Sequence, residues 1–346
     1  MSGDDEFLER QSRITLHDVA AAAGVSKSTV SRILDERLPR SGNETAKRVR
    51  QVAADLGYFR DGSAASLRRG KTMTIGMVVP RLTDTVMAML YEAFARACSR
   101  TGRFAIVAIT EDEPKADRTA AQTLLQRGVD GLVLSTARSD DDFPEELTAR
   151  GVPFVLALRT DGHSLSSVAD DRLGGYLATR HLLDLGHRRI GLIAGPGYAS
   201  SSQGRTKGYR EAMAEAGIEI DPTWIVGSTF GIDSGAEAAE TLMRLSPPPT
   251  AIFAVNDNTA IGALSTLQRL GLSVPGDVSL VGYNDVPIVS RLPTPLTSVR
   301  VPFDQIASAA LDLLNNGPRG EHDRIRIAAP TLIPRQSTAR PKAMTP

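Results

Sequence analysis

The chain has 346 residues, 41% hydrophobic and 23% charged, with 40 basic and 40 acidic side chains, a globular composition long enough for more than one domain. No apolar run approaches the roughly 20 residues needed to cross a bilayer, and the acidic opening MSGDDEFLERQSR lacks the apolar segment of a secretory leader. The single cysteine, Cys98, and five scattered histidines without ligand spacing exclude an internal disulfide or a metal cluster, so the expectation is a cytoplasmic protein with no metal and no cofactor.

Residues 1–12 read as a loose tail, and residues 13–59 as a module of short helices. Neutrality hides an asymmetry: Arg13 to Lys71 holds 12 Lys and Arg against 6 Asp and Glu, and a basic module on an acidic body fits polyanion binding by one end. Within it, Thr15–Leu34 reads TLHDVAAAAGVSKSTVSRIL. Thr15 caps a first helix that buries Leu16, Val19 and Ala20. Gly24 permits a sharp turn, Val25 fills the space between helices, and Ser26 caps a second helix with Val30 and Ile33 inward. Lys27, Ser28, Thr29, Ser31 and Arg32 then face outward. Donors and small hydroxyls on a helix of this kind suit a major groove: Arg32, Lys27 and Ser28 for base edges, Thr29 and Ser31 for phosphates. A third helix, Asn43–Leu56, carries Thr45, Val49, Val52 and Leu56 at helical spacing.

Residues 60–72, RDGSAASLRRGKT, are small, polar and basic, and read as a hinge. From Met73 strands and helices alternate. Strands are expected at Thr74–Val79, Phe104–Ile109, Gly131–Leu134 and Pro153–Leu158, then at Arg189–Ala194, Trp224–Val226, Ala251–Val255 and Ser279–Tyr283. Continuous β-branched runs between amphipathic helices imply parallel sheets covered on both faces. Two similar sets imply two doubly wound α/β lobes. Ligands of such sheets bind beyond the carboxyl ends of the strands, which points to the cleft between lobes. Thr297–Gly317 holds a further short strand and a helix, Thr331–Pro334 an edge strand, and the tail from Ala339 is expected to be disordered.

The motif Asp18–Leu34 and the blocks DLGY (Asp55–Tyr58), SLRRGKTMTIGMVVP (Ser66–Pro80), LGHRRIGLIAGP (Leu185–Pro196), RTKGYREAM (Arg205–Met213), PPTAIFAVNDNTAIGAL (Pro248–Leu264) and VPGDVSLVGYND (Val274–Asp285) resemble the lactose/galactose repressor family of bacterial transcriptional regulators, over nearly the whole chain. The resemblance implies a helix-turn-helix headpiece on two lobes of periplasmic-binding-protein-like type, the first about 73–167 and 297–322, the second about 168–296 and 323–338. It implies a homodimer on pseudo-palindromic double-stranded operator DNA, no membrane partner, and a hinge helix whose leucine, here Leu67, wedges into the minor groove. It implies a small-molecule effector, carbohydrate-like by preference, held by Arg205, Asp257 and Phe230. In the first lobe Arg81-Leu82-Thr83-Asp84-Thr85-Val86-Met87 departs from the family's aromatic block, leaving Arg81, Asp84 and Met87 as candidates, and Leu158-Arg159 replaces the family's Asp-Arg, leaving Arg159.

Other readings are weaker. Gly195-Pro196-Gly197 follows a strand but lacks the third spaced glycine, and its proline removes a backbone donor that a phosphate would need; with no phosphate-binding lysine loop, serine elbow or metal cluster in the sequence either, an enzyme is not expected. An exported solute-binding protein does not account for the headpiece. A regulator that answers to a protein partner would leave the cleft without a metabolite.

Overall fold

The computed structural model describes residues 14–35, 40–59 and 71–342. The chain divides into two compact units between Thr72 and Met73.

In the first unit, α1 spans Leu16–Ala23, α2 Lys27–Ile33 and α3 Glu44–Asp55. Each start is set by a side chain that satisfies otherwise unpaired helix N–H groups. Thr15 accepts from the amides of His17 and Asp18 while the Asp18 carboxylate accepts from the Thr15 amide, a reciprocal cap. Ser26 accepts from the Thr29 amide at 3.2 Å, and Asn43 from the Ala46 amide at 2.8 Å. Gly24 ends α1 at φ 65°, a left-handed backbone that favours glycine. Val19, Ala20, Ala23, Val30, Val49 and Ala53 form the core of this unit. The buried face of α3 is Ala46, Val49 and Ala53, with Leu56 exposed. Of the expected stripe Thr45, Val49, Val52 and Leu56, Val49 is fully buried and Val52 packs against the same core, Thr45 is half-buried, and only Leu56 at the helix end turns to solvent. Leu67 and the rest of 60–70 lie outside the described residues.

The second unit begins with β1 (Thr74–Val79), α4 (Thr85–Arg100), β2 (Phe104–Ile109), α5 (Pro114–Gln126), β3 (Leu132–Leu134), α6 (Phe143–Ala149), β4 (Phe154–Ala157) and β5 (Ser166–Ala169). Next come α7 (Asp171–Asp184), β6 (Ile190–Ala194), α8 (Ser200–Glu215), β7 (Ile225–Gly227), α9 (Ile232–Met243), β8 (Ala251–Ala254), α10 (Asp257–Arg269), β9 (Ser279–Asn284) and β10 (Thr297–Arg300). The chain ends with α11 (Phe303–Asn316), β11 (Ile325–Ala328) and β12 (Thr331–Ile333). Two six-stranded sheets result, ordered β11-β5-β4-β3-β1-β2 and β12-β10-β9-β8-β6-β7. Their pairings are parallel except that β12 runs antiparallel to β10. The central strands are buried along their length, as helices on both faces require.

The lobes differ from the expected division at both late boundaries. Thr297–Arg300 pairs with β9 and so belongs to the second lobe, whereas Ile325–Ala328 pairs with β5 and forms the edge of the first. Thr297, Ser298 and Val299 are fully buried in the second sheet. The chain therefore passes between lobes after β5, after β10 and after β11. The terminal segment is also ordered further than expected. The Ala339 amide donates to Ser279 Oγ at 3.0 Å, its carbonyl accepts from His187 Nε2 at 2.9 Å, and Lys342 pairs with Asp277 at 2.6 Å.

Candidate functional site

On the headpiece, Thr15 and Ser26 use their hydroxyls as helix caps, and Thr29 Oγ1 lies 2.8 Å from Ser26 Oγ. Lys27, Ser28 and Arg32 are exposed on α2, whereas Thr29 and Ser31 are half-buried. The outward chemistry of this helix is thus one guanidinium, one ammonium and a hydroxyl, with Thr29 and Ser31 half-buried and the Thr29 hydroxyl hydrogen-bonded to Ser26.

The second site is a cavity of about 380 Å³ between the two lobes. It lies where strands of both sheets end. Asp112 follows β2 and Leu158 and Arg159 follow β4; Thr229 and Phe230 follow β7, Asn256 follows β8, and Asn284 closes β9. Helices supply others: Asp84, Val86 and Met87 at α4, Ser201 and Arg205 on α8, Ile232 and Asp233 at α9, and Asn258 on α10. Several of these residues hold left-handed backbone without being glycine, namely Asp112 (φ 66°), Leu158 (φ 66°), Phe230 (φ 68°) and Asn284 (φ 100°). Each sharp turn ends a strand and presents its side chain to the cleft, and such strain persists only where the surroundings over-determine it.

Its two buried guanidinium groups are neutralised locally. Arg159 makes a bidentate pair with Asp112, Nη1 to Oδ1 at 2.8 Å and Nη2 to Oδ2 at 3.0 Å. Arg205 donates through Nε to Asp171 Oδ1 at 2.8 Å and through Nη1 to the Val255 carbonyl at 2.8 Å, with its plane 3.7 Å from the Tyr283 ring centre. Burial pushes the Asp171 carboxyl up, against the pull of the Arg205 charge. Asp84 caps α4 through the Val86 amide and accepts from Asn258 Nδ2 of the other lobe at 3.2 Å; burial raises its carboxyl above the ordinary value. Pro80, Val86, Met87 and Leu158 give the first lobe's apolar wall, and Phe230 and Ile232 the second's.

Of the residues expected here, Arg81, Asp84, Met87, Arg159, Arg205 and Phe230 line the cavity. Asp257 does not. Its side chain is fully buried, with Oδ1 accepting from Ser298 Oγ at 2.7 Å and Oδ2 from the Val286 amide at 2.8 Å. In Asn256-Asp257-Asn258 the outer two reach the cleft, because successive residues at a helix start point in different directions. Asp112, Asn256, Asn258 and Asn284 are polar lining residues that the sequence does not single out. Their signal is position: each follows or closes a strand, or opens the helix after one.

Residues 15–61 match the description "Bacterial regulatory proteins, lacI family", and residues 179–338 match "Periplasmic binding protein-like domain". The chain is 33% identical over 327 residues to a ribose operon repressor of Haemophilus influenzae, covering 93% of this chain and 98% of that one. The chain belongs to the lacI family of bacterial regulatory proteins. It is also 32% identical to the HTH-type transcriptional repressor PurR of Photobacterium profundum, over 93% of this chain and 98% of that one. The lac repressor dimer bound to operator and the anti-inducer ONPF has the same fold, with a TM-score of 0.83 and 26% identity, over 94% of this chain and 99% of that one. As a lacI-family protein the chain is a DNA-binding transcriptional regulator. Among its described residues no helix is long and apolar enough to cross a membrane.

Proposed function

We propose that this chain is a cytoplasmic repressor whose hold on operator DNA is set by a small, uncharged, polyhydroxylated metabolite, a sugar or sugar derivative, bound between the two lobes. The observation that carries the ligand class is the local neutralisation of Arg159 by Asp112 and of Arg205 by Asp171. Buried guanidinium groups already paired offer hydrogen-bond donors in fixed directions without a net charge to satisfy. With Asn256, Asn258 and Asn284 they suit hydroxyls better than an anion, and Phe230 offers an apolar face to a ring. A relative named as a ribose operon repressor agrees with a small polar effector.

On the DNA side, Lys27, Ser28 and Arg32 read base edges, Thr29 and Ser31 lie nearer the phosphates, and Leu67 is the minor-groove wedge that the family resemblance supplies. A homodimer on a pseudo-palindromic operator follows from the same resemblance. The exposed Phe104 and Ile109 on the edge strand β2 are apolar surface that a second copy would cover. Effector binding acts through differential affinity for two lobe arrangements, which bring the paired headpieces into or out of register with the operator.

A thermal-shift panel of the full chain against D-ribose and other pentoses, hexoses, polyols, sugar acids and purines tests the reading. Ligand at about 100 times its Kd stabilises the folded state by about 2.7 kcal/mol. A response to neutral sugars or polyols is expected. A response confined to sugar acids or purines would overturn the ligand class, and a flat panel would overturn the metabolite reading.

A further inference from the structure

One residue of the second lobe reaches the first through three different kinds of contact. Tyr198 lies between β6 and α8. Its hydroxyl donates to Asp112 Oδ2 at 2.8 Å, its carbonyl accepts from the Ser139 amide at 2.9 Å, and the Arg138 guanidinium sits over its ring at 3.5 Å from the centre. A charge-assisted hydrogen bond, a backbone bond and a cation–π contact thus converge on one side chain and its own backbone. Two residues on, Ser200 Oγ accepts from the Thr160 amide at 2.9 Å, extending the same seam between lobes.

Asp112 is the shared element. The carboxylate that receives Tyr198 also holds Arg159 in the cavity wall, so its two oxygens serve a contact between lobes and a lining side chain together. The backbone here is unusual, for Glu111 (φ 57°) and Asp112 (φ 66°) are consecutive left-handed residues, neither a glycine. Arg159 is only 5% exposed and its guanidinium lies 5.7 Å from the Tyr198 ring centre. Separation of the lobes removes Tyr198 from Asp112 and opens the Arg159 pair to water. Conversely, a ligand that draws Arg159 away from Asp112 alters the acceptor on which Tyr198 depends.

We propose that Tyr198 is a positioning residue that latches the two lobes and, through Asp112, sets the orientation of Arg159 in the cavity. The latch requires no ligand; its link to recognition rests on the cavity being the effector site.

Two measurements on the ligand-free full chain test it, with Tyr198→Phe as the variant that removes only the hydroxyl and Asp112→Asn as the second. Amide hydrogen exchange followed in peptides containing Ser139 and Thr160 should quicken about tenfold in Tyr198→Phe, the scale of one lost hydrogen bond to a charged group. Phenylglyoxal modification of Arg159 should be slow in the wild type, where the side chain is buried, and faster in both variants, while exchange of the central strands β3 and β8 stays unchanged. Unchanged exchange at Ser139 and Thr160 in Tyr198→Phe would overturn the latch. A uniform rise that includes β3 and β8 would also overturn it, by showing a role in fold stability alone. If Tyr198→Phe does not fold, exchange at Ser139 and Thr160 in Asp112→Asn decides, since Arg159 in that variant loses its direct partner and becomes reactive on that ground alone. Both readouts are independent of any effector, so a flat ligand panel together with a loosened Ser139 amide would reject the effector reading and leave the latch standing.

Discussion

The carboxyl of Asp257 is fully buried at the start of α10, where it accepts from Ser298 Oγ and the Val286 amide, and burial pushes it up to about 7 from an ordinary 3.8. Between those values the folded chain keeps a proton that the unfolded chain has released. Its contribution to stability is therefore complete below the unfolded value and is lost as pH rises through about 7. Asp257→Asn keeps the shape and removes the titration. Its melting temperature relative to wild type should climb from about pH 5 to about pH 7.5, equivalent to on the order of 1 kcal/mol per pH unit; a constant difference would contradict this. Asp257 and Asn256 also mark how fine the reading of a sequence must be at a strand end, since a motif match is blind to which of two adjacent side chains faces the cleft. On the headpiece the outward direction of Arg32 follows from helical periodicity alone. Arg32→Ala should cost about 1–3 kcal/mol of specific operator binding while sparing binding to random DNA, measured by fluorescence anisotropy; equal losses on both would remove its base-reading role.

At the scale of elements, the contact of α7 with α8 decides where Arg205 stands. The two backbones meet at Gly175 and Gly208, where an added Cβ would run into the Arg205 carbonyl in one case and into the Arg172 carbonyl and Tyr176 amide in the other. Gly208→Ala must push α8 outward and carry Arg205, less than one turn away, off Asp171. We expect a loss of about 2 kcal/mol by chemical denaturation, in the range of core overpacking, together with a weakened ligand response. A stability equal to wild type would show that the helices part without strain. Most strands are legible in the sequence because their apolar, β-branched runs are continuous: Thr74–Val79 and Phe104–Ile109 form as read. Strand β5 is not, because Ser-Ser-Val-Ala reads as a loop. It is buried all the same, with Ser167 Oγ donating to the Ile306 carbonyl at 2.9 Å. Strand β11, Ile-Arg-Ile-Ala, is a half-exposed edge with no continuous apolar signal, which is why the lobe boundaries expected from the sequence fall in the wrong place. A strand of four residues is assigned by its neighbours, and those are known only once the sheet is assembled.

For the whole molecule, the division between Thr72 and Met73 makes the two-lobed unit separable. A chain beginning at Met73 should keep the melting transition and ligand response of the full protein and lose operator binding; a collapsed transition would show that the headpiece completes the sensor's fold. The lobes are not separable in that way, since the first sheet takes its edge strand from 325–328, after the whole second sheet except β12 has been laid down. This has a bearing on synthesis. As the chain leaves the ribosome, all three helices of the headpiece are present once Asp55 has emerged, and contiguous modules fold first. The first sheet waits for β11, a further 273 residues of translation between Asp55 and Ala328, and until then its edge strand β5 is uncovered. A growing chain can thus carry a finished DNA reader before it has a sensor to govern it, and premature termination between Asp55 and β11 would release a reader attached to an incomplete sensor.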